Sequence, residues 1–379
     1  MALSKIQTAE MLDAPNQGRR NLIINGAMQV AQRATAATNT AGVSVYRTID
    51  RLKLWKDNDG EYTTEQSTVA PDGFSNSVKC QVTTADTSLA AAQYAVFAQN
   101  IEAQNLQHLA YGTNSAKTIT VSFYVRSNKT GTYALALEKQ DNTTYRYIKE
   151  FSISSADTWE RKEITIVPDS NIKAAAGAIN NDNGIGFRVF IILAMGSDYY
   201  SGTTNDAWNS GANAYSTSNV VNWMDNTSNN FYFTGFQVEV GSVATEFEHR
   251  SIGEELTLCQ RYYYEHIRGI NGERKFVGGG DFYVTTQLNC HISFPTTMRT
   301  TPTLVQNNGT DFMGWWGGAQ SGDISAAFNI FLPSENLTSM YLNPDDDPSS
   351  AGIGARVYIK NAGNVAGTTG CFLAFNAEL

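Results

Sequence analysis

Runs in which every second residue is apolar recur along this chain, and that spacing limits the possible folds more than any other feature. In KTITVSFYVRS, Ile119, Val121, Phe123 and Val125 fall on one side and Thr118, Thr120, Ser122, Tyr124 and Arg126 on the other. Extended backbone produces this pattern because successive side chains of a strand face opposite ways. GTYALALEK repeats it with Tyr133, Leu135 and Leu137, and GFRVFIILAMG (186–196) is apolar on both faces. The latter predicts a central strand covered on both sides. FYVTTQLNCHISFP reads as the longest alternating run, with Phe282, Val284, Leu288, Cys290, Ile292 and Phe294 in phase.

The phase slips once in an informative way. In NNFYFTGFQVEVGS, Phe231 and Phe233 hold odd positions, whereas Phe236, Val238 and Val240 hold even ones. One extra residue at Thr234–Gly235 re-phases the strand, which is the work of a β-bulge, and glycine is favoured there. Connections such as NKTGT, KQDNTT, NNDNG and NPDDDPSSAG carry turn chemistry. Short strands at roughly 8–12-residue spacing predict sandwiches of the jelly-roll kind, and no internal repeat suggests a β-helix. With 379 residues the chain has room for two or three domains.

One stretch breaks the rhythm. EFEHRSIGEELTLCQRYYYEH (246–266) crowds together five glutamates, two histidines, two arginines, a cysteine and three tyrosines. Ser251 followed by Glu254 makes a capping box, and Ile252, Leu256, Cys259 and Tyr263 trace one helical face. The spacing predicts a helix over 252–264 that joins two blocks of strands. The expected organisation is all-β: an arm over 1–20, a jelly-roll sandwich over 21–250, a helical connector over 251–268 and a distal sandwich over 269–379. Pro15 ends any helix that the arm forms.

Composition excludes some partners. A net charge of −9, with no compact Lys/Arg run, opposes binding to a phosphate backbone. No segment reaches the roughly 20 apolar residues that span a bilayer. The start lacks the apolar core of about 7–15 residues found in signal peptides, which predicts folding in a cytoplasm.

Sites for chemistry are few. Glu254 and Glu255 diverge by about 100° on a helix, whereas a glycosidase needs two carboxylates converging about 5–9.5 Å apart. Cys290 and His291 face opposite sides of a strand and cannot share an ion. Cys80, Cys259, Cys290 and Cys371 each sit on an apolar face and read as small core residues. His249 and His266 flank the helix at opposite ends. DNDGE (57–61) places Gly60 too early for a calcium loop, and PDDDP (344–348) reads as a solvated tip, with a weak calcium or magnesium site as the alternative. HExxH, GxSxG, the P-loop pattern and CxxC do not occur. These readings predict no catalytic residue, no metal site and no cofactor.

Aromatic clusters are the better candidates. The stretch from Ser197 to Phe231 interleaves rings with Asn, Ser and Gly, either to grip a partner or to let Trp208 and Trp223 cover the edge of the first sandwich. DFMGWWGGAQSGD (311–323) sets Trp315 beside Trp316, and on a strand one of them must face outward, either as a stacking platform for a sugar or as a buried anchor at an oligomer interface.

Several segments resemble tail-fibre and receptor-binding proteins of tailed bacteriophages. GRRNLIINGAMQVAQR looks like the first strand of that family's N-proximal sandwich. DRLKLW, TVSFYVRSNKTGTYALAL and ISSADTWERKEITI look like its middle, and FYFTGFQVEVGSVATEFEHRSIGEELTLCQRYYYE like its last strand and exit helix. FPTTMRTTPTL and FNAEL are similar to a smaller sandwich that often follows. The resemblance implies a non-enzymatic virion adhesin with a first domain shaped like carbohydrate-binding jelly rolls. It also implies a homotrimer, mounted on another tail component by residues 1–20, whose distal domain meets host glycan or an outer-membrane component. In a trimer, Tyr262, Tyr263 and Tyr264 are expected to point in three directions around the helix, so that at least one packs against a neighbouring subunit. Trp315, Trp316 and Tyr341 are the expected sugar platforms, with Asp345, Asp346 and Asp347 as polar partners. A structural adaptor fibre and a glycan depolymerase are the alternatives.

Overall fold

The computed structural model describes residues 19–40, 42–269, 275–306, 312–316, 320–323, 327–343, 351–359 and 372–379. Nearly all of the proposed arm, Cys371 and the acidic trio Asp345, Asp346 and Asp347 lie outside them. The chain divides into two compact units between Glu255 and Leu256, with Leu379 assigned to the first.

The first unit is an antiparallel two-sheet sandwich. One sheet runs Ala36–Asn39, Glu61–Ser67, Ser77–Thr84, Asn230–Val240, Ile119–Ser127, Glu160–Ile166. The other runs Ala207–Asn209, Tyr145–Ile153, Gly131–Lys139, Ile185–Met195, Tyr94–Glu102, Lys53–Asp57, Val43–Tyr46. The chain passes repeatedly from one sheet to the other, as a jelly roll does. Ile119, Val121, Phe123 and Val125 all point into the space between the sheets and are fully buried. There Phe123 meets Phe151 edge-on and packs on Phe233 at 5.4 Å. Burying a side chain of this size stabilises by about 1.5–3 kcal/mol relative to exposure.

Ile185–Met195 takes the central place expected of it. Phe187, Val189, Ile191 and Leu193 face the inter-sheet core. Phe190 and Ile192 face outward, against a smaller apolar cluster roofed by Tyr215 and Val220. The aromatic segment after Gly196 is therefore a cover. It adds the edge strand Ala207–Asn209, sets Trp208 edge-on to Tyr147, and buries Trp223 completely against Tyr62.

The bulge also lies where the phase slip puts it. Pairing of Asn230–Val240 with Ile119–Ser127 jumps from Thr234↔Tyr124 to Gln237↔Ser122. Gly235 there has φ +63°, and a Cβ would fall 2.8 Å from the rings of Phe74 and Tyr124. Only glycine fits both the left-handed backbone and the space.

The second unit layers a three-stranded sheet, Tyr263–Arg268, Phe372–Asn376, Thr303–Gln306, on a seven-stranded one. The larger sheet runs Gln320–Asp323, Phe312–Trp316, Gly354–Ile359, Phe276–Val284, Gln287–Ser293, Leu337–Leu342, Asn329–Pro333. Its inward residues, among them Phe282, Leu288, Cys290, Met340 and Val357, form one core with Leu373 and Phe375.

Three expectations are corrected. The helix is Ile252–Gln260, not 252–264, and Tyr263–Arg268 is a strand of the second unit. Three consecutive tyrosines favour extended backbone, where their rings find cross-strand partners. Ile252 is 59% exposed, and the buried helical face carries Glu255 and Cys259 instead. FYVTTQLNCHISFP is not one strand but the arms of a hairpin, with Phe282 paired to Leu288 across the turn at Thr285 and Thr286. The pairing shifts by one between Phe282 and Val284, so Val284 is 42% exposed while Phe282 and Leu288 reach the core.

Candidate functional site

The outer face of the second unit's large sheet holds a cleft of about 620 Å³. It crosses the strands Phe312–Trp316, Gly354–Ile359 and Phe276–Val284, and Phe276, Gly279, Gly280, Trp315, Trp316, Gly354, Ala355, Arg356 and Tyr358 line it. Trp315 is 40% exposed and Phe276 54% exposed. Their rings flank Tyr358, at 6.2 Å and 5.6 Å between centroids, so three aromatic groups line one side. Arg356 is the direct cross-strand partner of both Trp315 and Gly279. Trp315, Arg356 and Gly279 thus form one row across the sheet.

The glycines at 278–280 have different reasons to be there. A Cβ at Gly280 would sit 1.7 Å from the Asn289 carbonyl oxygen, and one at Gly278 would sit 2.7 Å from Cys290 Sγ. Close strand approach explains these two. At Gly279 the nearest atom would be 4.0 Å away. A side chain there would stand in the cleft rather than in the protein.

Of the residues expected from sequence, Trp315 belongs to this site. Trp316 contributes only part of the floor. It is 3% exposed and packs edge-on against Phe282 at 5.1 Å, so it is a core residue and not a platform. Tyr341 is on the same face but four strands from Trp315, about 19 Å at the usual strand spacing. It packs against Phe331. Phe276, Tyr358, Arg356 and Gly279 were not singled out in the sequence. ARVYI alternates clearly, with Arg356 and Tyr358 out and Val357 and Ile359 in, and GGG within a strand also marks an unusual surface.

The 246–266 stretch serves construction. Ser251 Oγ accepts the Glu254 N–H at 3.2 Å, the first arm of the capping box. Glu248 accepts the N–H groups of Arg20 and Asn21 at 2.9 and 2.8 Å. Burial pushes its pKa up, but those bonds and Arg250 outweigh it and leave the carboxyl below its ordinary value. Glu255 is buried and pushed above the ordinary value by desolvation, while accepting the Asn25 N–H at 2.5 Å. Tyr262 and Tyr263 are 1% and 3% exposed, and Tyr264 stacks on Phe375. The expected spread of the three tyrosines around a helix is therefore corrected: Tyr262 and Tyr263 are interior, and Tyr264 lies on a strand against Phe375.

A smaller pocket of about 150 Å³ opens on the outer face of the first unit's seven-stranded sheet, among Trp55, Tyr94, Val96, Phe190, Met195, Tyr199 and Tyr215. Arg188 lies 4.6 Å over Trp55 and Arg146 lies 4.1 Å over Tyr215. Both guanidiniums pair with the fully buried Glu138, at 2.9 and 2.5 Å. This triad fixes the rings by hydrogen bonds and cation–π contact. Arg188, a charge within an otherwise apolar strand, was the available signal.

No protein-family model matches the chain, and no curated protein matches it. Among solved structures it is similar to a protein from Bacteroides thetaiotaomicron described as sugar-binding, with TM-score 0.31 and 13% identity over 59% of this chain and 100% of that one. It is also similar to the enzymatically active domain of bacteriophage CBA120 tailspike protein 4, with TM-score 0.29 and 10% identity over 58% of this chain and 21% of that one. A third is the family 11 carbohydrate-binding module of Clostridium thermocellum, in complex with a mixed-linked tetrasaccharide, with TM-score 0.27 and 10% identity over 56% and 98%. The structure itself establishes an all-β chain of two antiparallel sandwiches, each with an aromatic cleft on the outer face of its larger sheet.

Proposed function

We propose that this chain is a non-enzymatic adhesin of a bacteriophage tail that binds host surface glycan, assembled as a homotrimer and mounted by its first 20 residues. The observation that carries glycan binding is the cleft at Trp315, Tyr358 and Phe276. Ring faces suit the C–H faces of pyranoses, and the guanidinium of Arg356 supplies donors for oxygens. A volume of about 620 Å³ is within the usual range for small-ligand sites. The phage assignment is supported by the sequence resemblance. Three copies raise a weak single-site affinity through avidity.

The test is competition. Purified chain should block adsorption of the particle that carries it, and Trp315→Ala should weaken glycan binding by about tenfold or more, the scale of a stacking hot spot. Trp316→Ala should act on stability instead, costing about 3–5 kcal/mol in urea unfolding as expected for truncating a buried Trp. Unchanged adsorption with Trp315→Ala favours the adaptor reading, and release of reducing ends from host polysaccharide favours the depolymerase.

A further inference from the structure

The glycan reading leaves the class of sugar open, and the make-up of the cleft narrows it. Arg356 is the only charged side chain among the described residues that line it. Several other arginines hold carboxylates: Arg146 and Arg188 share Glu138, Arg250 reaches Glu248, and Arg268 pairs with Glu265. No carboxylate pairs with Arg356 among the described residues. Asp281 is the acid closest in register, faces Gly354, and forms no ion pair with it. Arg356 thus shares the cleft with three rings and has no carboxylate partner among the described residues, in a chain of net charge −9.

Space has been kept beside that cation. Among the described residues, Gly354, two residues back on the same face, would place a Cβ with no atom within 4 Å, and a Cβ at Gly279 would meet only the Ala355 carbonyl oxygen at 4.0 Å. Neither has the positive φ that calls for glycine. Packing and backbone therefore leave both glycines unexplained, whereas an occupant lying against Arg356 explains both.

We propose, building on the glycan reading above, that the cleft takes an acidic saccharide: a sugar ring stacks on Trp315 and Tyr358 while its carboxylate lies over the Gly279 floor against the Arg356 guanidinium. The planar fork of Arg matches a carboxylate with two parallel hydrogen bonds, which a lysine ammonium cannot reproduce.

The experiment is titration calorimetry of the full chain with oligomers of galacturonate, glucuronate and sialate, each beside its carboxyl-reduced form and beside a sulfated neutral oligomer. At least one acidic oligomer should bind about tenfold or more tighter than its reduced form, the scale of a charge-assisted hydrogen bond. Arg356→Gln should erase that preference, weakening the acidic form more than the reduced form. Arg356→Lys should keep part of it, and Gly279→Val should weaken both forms. Because position 356 is exposed, unchanged melting of the variants separates site from fold. Equal binding of acidic and reduced forms, or a preference that survives Arg356→Gln, overturns the acidic-sugar inference while glycan binding stands. Preference for the sulfated oligomer overturns the carboxylate. Failure of every saccharide, acidic or neutral, overturns the inference together with the glycan reading.

Discussion

His266 contributes a pH dependence to the second unit at the residue scale. Its Nε2 is 2.7 Å from the Val277 carbonyl oxygen and its Nδ1 is 3.0 Å from the Tyr264 hydroxyl, an arrangement that suits the neutral ring. Burial lowers its pKa, against the opposing pull of the Val277 carbonyl. The unfolded chain takes up the proton below about pH 6.5, while the folded ring resists it. This contribution to stability is thus fully present above that pH and is lost as pH falls toward the folded pKa. Between pH 7.5 and 5, the urea midpoint of the native protein should fall more steeply than that of His266→Gln. Parallel pH curves for the two proteins would rule this role out. His108 is shifted the same way by burial, but it is present in both proteins and cancels. Trp315 and Trp316 teach a related lesson: adjacent in sequence, they differ in exposure, 40% against 3%, because strand neighbours face opposite sides.

Elements were readable where a pattern had a single physical solution. Ile119–Ser127 and Asn230–Val240 alternate cleanly, and even the bulge between them showed as a slip in phase. Gly235→Ala should cost about 1–3 kcal/mol, since it adds a Cβ at φ +63° into the rings of Phe74 and Tyr124. Unfolding by guanidinium with unchanged m-value is the check, and a neutral result would mean that the bulge relaxes freely. Ile252–Gln260 was readable only at its start. Ser251 caps it, but its end depends on whether Tyr263 and Tyr264 gain more from pairing with Asn376 and Phe375 than from another helical turn. Those partners lie more than a hundred residues downstream, so no local pattern announces them. The hairpin at Thr285–Thr286 was missed for a similar reason: neither Gly nor Pro marks the turn, and alternation continues through it.

At the scale of the molecule, the two hydrophobic cores share no residue. Residues 20–255 contain one complete core and exceed the size at which a single sandwich sustains itself. Expressed alone, this segment should give a β-type far-UV spectrum and one cooperative thermal transition. A broad, non-cooperative melt would mean that the first unit depends on the second. The cleft belongs to this scale too. Trp315, Arg356 and Phe276 lie on three strands whose neighbours in space are not neighbours in sequence, so sequence supplied one ring and the sheet supplied the rest.

Composition, period-two spacing and turn residues were enough to determine an all-β chain with its strand-forming segments on both sides of Ser251. Those signals act between residues one to four positions apart and need no knowledge of partners. Strand order decided which outward residues stand together, which tryptophan is buried and where glycines leave room for a ligand. Those outcomes depend on contacts between distant segments, which hydrogen-bond register fixes only once the sheets have formed.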